Sequence, residues 1–201
     1  MNEKKLNKSI KHFNLSKKII PLGCQTFSKS YKLYDKKFFP LYINGGSKQF
    51  IFDLDGNKYL DLISGLGSVS IGYGINEIDN KIKKVISKGI TFSLSHTIEY
   101  EVSKKLTEII PCAEMVRFGK NGTDVNSAAV RLARYHTKRE HIAICGYHGW
   151  HDWYISTTTM DGGILKDVKK YTHIFQYNNL NSLEKITQNN LNDYSFNEIF
   201  S

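Results

Sequence analysis

From residue 114 to residue 187 the sequence alternates short apolar runs with amphipathic stretches, and that alternation restricts the folds open to it. Glu114-Met115-Val116-Arg117-Phe118 reads as a strand, and Val125, Ala128, Ala129, Leu132 and Ala133 recur at helical spacing. His141-Ile142-Ala143-Ile144-Cys145 reads as a second strand and Thr172-His173-Ile174-Phe175 as a third, with a helix expected over 182–187. Alternating β and α segments predict an α/β fold, a parallel-rich sheet with crossover helices.

The residues before 114 follow a different grammar. Gln49 to Leu54 and Lys58 to Ile63 alternate around Asp55-Gly56-Asn57, a turn signal, and predict a β-hairpin. A glycine-punctuated loop follows, Ser64-Gly65-Leu66-Gly67-Ser68 through Gly72-Tyr73-Gly74. Ile75, Ile78, Ile82, Val85 and Ile86 predict an amphipathic helix stopped by Gly89; Ile98, Val102, Leu106 and Ile109 predict another, stopped by Pro111. Residues 1–47 are polar, basic and weakly periodic. At the other end, Ser195 to Ser201 reads as the start of a further strand, so the βα series looks interrupted.

Charge and cysteine content narrow the function classes. The formal net charge is +9, but residues 1–40 hold ten lysines against Glu3 and Asp35, which leaves the remainder at +1. The basicity belongs to an arm with no arginine and no zinc pattern, which ranks nucleic acid last among possible partners. No apolar run approaches the roughly 20 residues of a membrane span. Lys4, Lys5, Lys8 and Lys11 interrupt any apolar leader, and Cys24, Cys112 and Cys145 form no CxxC pair or disulfide framework. The expectation is a cytoplasmic protein.

Two segments fall at the C-terminal ends of expected strands, where α/β sheets bind ligands. Phe118-Gly119-Lys120-Asn121-Gly122-Thr123-Asp124 precedes an amphipathic helix, whose free N–H groups and dipole suit a phosphate. The same residues also suit a capped turn with no ligand. Gly146-Tyr147-His148-Gly149-Trp150-His151-Asp152-Trp153 offers rings that can stack on a flat ligand, or simply pack on one another. A metal reading would use His148, His151 and Asp152, with no further ligand cluster in the sequence to complete it.

Several stretches together resemble the N-terminal part of class III pyridoxal-phosphate-dependent aminotransferases, in particular glutamate-1-semialdehyde 2,1-aminomutase-like enzymes. Ile20-Pro21-Leu22-Gly23 through Ser30 is similar to the family's opening segment. Phe52-Asp53-Leu54-Asp55-Gly56-Asn57-Lys58-Tyr59-Leu60-Asp61 is similar to its hairpin. Val116 to Asp124 resembles its phosphate loop, Ala129 to Arg139 the helix after it, and Gly146-Tyr147-His148-Gly149 its cofactor-stacking turn.

The resemblance implies an aspartate-aminotransferase-like large domain, present in part, over residues 71–201, preceded by an arm and hairpin over residues 1–70. It implies pyridoxal phosphate as cofactor, with Asn121, Gly122 and Thr123 on the phosphate, Tyr147 stacked on the ring and His148 beside it. Gly65, Leu66, Gly67 and Ser68 would border the substrate pocket. Where the family motif has Ser-Gly-Thr, this chain has Asn121 for the serine, and an amide still donates to phosphate. The partners implied are a small-molecule amino donor and acceptor, and a second copy of the chain, since the intact family forms homodimers. The family's Schiff-base lysine and its pyridine-facing aspartate are expected beyond residue 201. On that reading the chain is a truncated transaminase or aminomutase, not catalytic alone, association-prone and marginally stable. The alternative is a non-catalytic fragment that binds a phosphorylated ligand or a partner chain.

Overall fold

The computed structural model describes residues 5–35 and 38–189. By internal contacts the chain forms two compact units, Met1–Ser95 and His96–Ser201. The helix over residues 76–86 therefore belongs with the hairpin, although the sequence groups it with the second part. The strand expected over 195–201 lies outside the described residues.

The first unit is built on three antiparallel strands, β1 (Ile43–Ser47), β2 (Phe50–Asp53) and β3 (Lys58–Leu60), in the order β1-β2-β3. The β2–β3 hairpin is the one expected, with Phe50 opposite Leu60 and Phe52 opposite Lys58. Its turn is organised by Asp53, only 2% exposed. One carboxylate oxygen accepts the N–H groups of Asp55 and Asn57 at 2.9 and 2.8 Å. The other accepts Asn57 Nδ2 at 2.8 Å and the Tyr59 hydroxyl at 2.9 Å. A buried carboxylate persists when its lone pairs are filled in this way. Burial, reinforced by the bond to Asp53, pushes the Tyr59 hydroxyl up to about 12.

Helix α1 (Asn7–Ser16) lies within the stretch that reads as featureless in sequence. Its buried face carries Leu6, Ser9, Phe13 and Ser16, so half the helical stripe is serine and the hydrophobic period is diluted. Its N-terminus is capped from outside. Asp55, in the hairpin turn, accepts from the N–H groups of Lys8 and Ser9 at 2.8 and 3.0 Å. Strand β1 was equally hard to read, because its middle is Gly45-Gly46. Gly46 packs under the Tyr73 ring, where a Cβ would come within 2.5 Å of Tyr73 Cγ. Helix α2 (Asn76–Ile86) follows, with Glu77 and Asp79 in its first turn and Lys83 and Lys84 in its last, matching the helix dipole at both ends.

The second unit holds α3 (Thr97–Ile109), α4 (Gly122–Thr137), β4 (Ile142–Ile144), α5 (Asp152–Ile155), β5 (Thr172–Ile174) and α6 (Leu180–Asn189). His96 caps α3, accepting the Ile98 N–H, and Glu99 returns a bond to the His96 N–H. Strands β4 and β5 pair in parallel, Ile142 with Thr172 and Ile144 with Ile174. Ile142, Ile144 and Tyr154 form the core, with Val130 and Trp153 packed against it.

Two expectations are corrected here. Residues 114–118 form no strand. Alternating apolar residues become a strand only with a ladder partner, and β4 and β5 pair with each other instead. The face of α4 is also turned. Thr123, Val130 and Ala133 look inward, while Leu132 is 68% exposed and Val125 is exposed as well. The apolar faces of α2 and α3 are open among the described residues: Ile78, Ile82, Val85, Ile98 and Val102 are all exposed.

Candidate functional site

The site candidates gather at the N-terminus of α4. Asn121 is the N-cap residue, in extended conformation, and its side chain makes no capping bond. The N–H groups of Asp124 and Val125 return to the Asn121 carbonyl at 3.1 and 3.3 Å. Those of Gly122 and Thr123 meet no acceptor among the described residues, as the first turn of any helix requires unless a cap or ligand supplies one. A Cβ at Gly122 would touch nothing within 4 Å, so that position borders open space. Gly119, by contrast, is a packing glycine, with Val125 Cγ1 within 2.5 Å of where its Cβ would lie.

The aromatic turn after β4 is bolted to this helix end. Thr123, 9% exposed, accepts the Trp150 N–H on Oγ1 at 3.2 Å. Gly149 has φ +113° and lies flat on Thr123; any side chain there would collide with Thr123 Cα and Cβ. One turn further along α4, Asn126 Nδ2 donates to the His148 carbonyl at 3.1 Å. Ser127 Oγ accepts the Trp153 indole N–H at 2.8 Å and lies 2.7 Å from His151 Nδ1. His151 Nε2 approaches Asp124 Oδ1 at 3.7 Å. Asn126, Ser127, His151 and Trp153 were not singled out as a linked set from sequence. The available signal was the polar run Thr123, Asn126, Ser127 at helical spacing, opposite a Trp-x-x-Trp segment.

The two residues proposed to meet a cofactor ring differ in freedom. Tyr147 is 79% exposed and is held edge-on to Tyr154, with ring centres 5.6 Å apart. His148 is half-buried. Its Nε2 lies 2.8 Å from the Cys145 carbonyl, which can only accept, so Nε2 carries the proton and Nδ1 is the basic edge. His148 and His151 thus spend ring nitrogens on Cys145 and Ser127. Among the described residues no group of three or more His, Cys, Asp or Glu could hold a metal.

The glycine loop lies in the first unit. Ser64, Gly65 and Leu66 take successive φ values of +51°, +59° and +61°, and Gly67 follows at +87°. Left-handed backbone at Ser64 and Leu66 is costly for residues with a Cβ. It is held by Val69 N–H to Ser64 O at 2.8 Å, and by the Ser68 hydroxyl to Gly65 O at 2.7 Å. Asp61 anchors the entry, accepting from the Tyr73 hydroxyl at 2.6 Å and from the N–H groups of Ile63 and Ser64. The Tyr73 hydroxyl first, and those N–H groups after it, hold the Asp61 carboxyl below its usual range. A cavity of about 360 Å3 beside Thr172, His173 and Ile186 is lined by none of these residues.

An uncapped helix start with an aromatic turn fixed to it is an arrangement that suits a phosphate and a flat ring. Residues 33–201 match the family described as Aminotransferase class-III. This chain belongs to that family, whose cofactor is pyridoxal phosphate. It is 36% identical over 190 residues to a 3-aminobutyryl-CoA aminotransferase of Cloacimonas acidaminovorans, covering 94% of this chain and 45% of that protein. It is 34% identical over 184 residues to a glutamate-1-semialdehyde 2,1-aminomutase of Wigglesworthia glossinidia brevipalpis, covering 85% and 42%. Among solved structures it is similar to the FumI protein of Sphingopyxis sp. MTA144, solved in a PLP form. The TM-score is 0.85 at 26% identity, over 93% of this chain and 44% of that one. The fold is thus the aspartate-aminotransferase-like one, and the chain spans about 45% of the length of such relatives.

Proposed function

We propose that these residues form the phosphate-and-ring side of a class III transaminase or aminomutase. The observation that carries the proposal is the joining of two loops: Gly149 and Trp150 lock onto Thr123, so the Tyr147 turn and the uncapped α4 start form one surface. The residues present fit the cofactor. Open N–H groups at Gly122 and Thr123 suit a phosphate dianion, and an exposed, edge-supported Tyr147 suits a flat ring.

When bound there, pyridoxal phosphate supplies the electron sink that lets an amino group leave one carbon and join another. Asn121, Gly122 and Thr123 bind and orient the phosphate. Tyr147 covers one ring face, with His148 beside it, and the substrates are a small-molecule amino donor and acceptor. The reaction is amino-group transfer of the glutamate-1-semialdehyde aminomutase type, in a cytoplasmic homodimer that covers the exposed faces of α2 and α3. The covalent lysine belongs to the part of the family's length that these residues do not span. Residues 1–201 alone are therefore expected to bind the cofactor without turning over substrate.

The test is a titration of the 201-residue chain with pyridoxal phosphate and, separately, with pyridoxal. Tighter binding of the phosphorylated form, competed by inorganic phosphate and lost in Thr123→Val, is the expected result. Equal affinity for the two would sink the proposal.

A further inference from the structure

We propose that Tyr154 is a positioning residue that sets the orientation of the Tyr147 ring for a flat ligand; the proposal rests on the class III reading of the site given above. Tyr147 and Tyr154 are perpendicular neighbours, with ring centres 5.6 Å apart and planes at 83°. The two differ in freedom. Tyr154 is 8% exposed and belongs to the core with Ile142 and Ile144, whereas Tyr147 is 79% exposed. A fixed ring therefore meets a free one, and the contact leaves most of the free ring's surface open to a ligand.

The backbone around Tyr147 is already held on both sides. Before it, the Cys145 carbonyl just past β4 accepts His148 Nε2 at 2.8 Å; after it, the His148 carbonyl accepts Asn126 Nδ2 at 3.1 Å. His148 also stands perpendicular to Tyr154, with ring centres 5.6 Å apart and planes at 84°. What these bonds leave unfixed at Tyr147 is the rotation of its own side chain. Among the described residues, Tyr154 is the aromatic neighbour of that ring.

The phosphate half of the site is held differently. Thr123 accepts the Trp150 N–H at 3.2 Å and packs on Gly149, and Tyr154 takes part in neither contact. Perpendicular aromatic pairs are favoured because a ring's edge is positive and its face negative. A Tyr147 ring oriented in advance loses less side-chain freedom when a flat ligand stacks on it, and binds that ligand more tightly for this reason. Removing the Tyr154 ring should therefore weaken binding of a ring-bearing ligand and spare binding of phosphate alone.

The experiment titrates the full 201-residue chain with pyridoxal phosphate and with inorganic phosphate, in Tyr154→Phe, Tyr154→Leu, Tyr147→Leu and the double Leu variant. Tyr154→Phe keeps the ring and is expected to bind both ligands as the unaltered chain does. Tyr154→Leu is expected to bind pyridoxal phosphate about three- to tenfold more weakly, the scale of one aromatic pair, with inorganic phosphate unchanged. With Tyr147→Leu already present, Tyr154→Leu is expected to add no further loss, because its effect passes through that ring. A merely structural role would lower both affinities and would add to Tyr147→Leu. Nuclear Overhauser contacts between the Tyr147 and Tyr154 ring protons of the unaltered chain, retained with pyridoxal phosphate bound, are expected too, and they depend on no variant folding. Absence of those contacts, unchanged pyridoxal phosphate binding in Tyr154→Leu, an equal fall for both ligands, or additive losses in the double variant would each overturn the proposal. If Tyr147→Leu itself leaves pyridoxal phosphate binding unchanged, the class III reading of the ring site falls, and this inference falls with it.

Discussion

Gly149 lies so close to Thr123 that a Cβ on it would stand 2.6 Å from Thr123 Cβ and 3.0 Å from its Cα. The aromatic turn and the start of α4 therefore touch backbone to side chain, with no room for a larger residue between them. With φ at +113° as well, Gly149→Ala has no relaxed alternative. The expected cost is about 1–3 kcal/mol, read from urea unfolding followed by tryptophan fluorescence, together with weaker binding of pyridoxal phosphate. A loss below a few tenths would show that the two loops are not locked in solution.

Ser127 gives the second expectation. Ser127→Ala leaves the Trp153 indole N–H without its acceptor at a part-buried position. The expected destabilisation is about 1–3 kcal/mol. Ser127→Thr, which keeps the hydroxyl, should recover part of it in the same unfolding assay.

Asp55 makes the first unit acid-sensitive. Burial pushes its carboxyl up, but the N–H groups of Lys8 and Ser9 outweigh that and hold it below the usual 3.8. A carboxyl with a depressed folded value contributes stability that is present above 3.8 and lost as the pH falls below it. Helix content should therefore fall at acid pH. Asp55→Ala should lower helix content already at neutral pH and remove that acid step, as followed by circular dichroism.

Tyr59 acts at the other end of the scale. Its folded value of about 12 exceeds the usual 10.0, so the folded state keeps a proton that the unfolded chain gives up. The bond to Asp53 is then fully present below 10.0 and is lost as the pH rises toward 12. Thermal midpoints of the unaltered chain and Tyr59→Phe should converge across that window. Parallel curves would refute this.

The legible parts were those whose signals are local. The hairpin showed itself through Asp55-Gly56-Asn57 between alternating residues, and α2 and α3 through apolar spacing with a glycine or proline stop. Strands β4 and β5 were short apolar runs with clear flanks. Helix α1 was hidden because Ser9 and Ser16 occupy its buried face and its cap lies far along the chain at Asp55. The inward face of α4 was misread for a related reason. Residues that look like surface, Thr123 and Ser127, are turned inward by bonds to Trp150 and Trp153 that no helical period records. The phosphate loop and aromatic turn were visible as motifs. Their attachment to each other was not, since it depends on what β4 brings alongside α4.

The external cap on α1 also sets an order of assembly. The Asp53 contacts within the turn span two to six residues, so the hairpin can close as soon as those residues are free to move. The bonds from Lys8 and Ser9 to Asp55 span 47 and 46 residues and carry a larger loop-closure cost. A ribosome releases α1 before Asp55 has emerged to receive it. During synthesis the basic segment therefore waits as an uncapped, fraying helix, and it becomes fixed only when a turn made later in the chain has already formed.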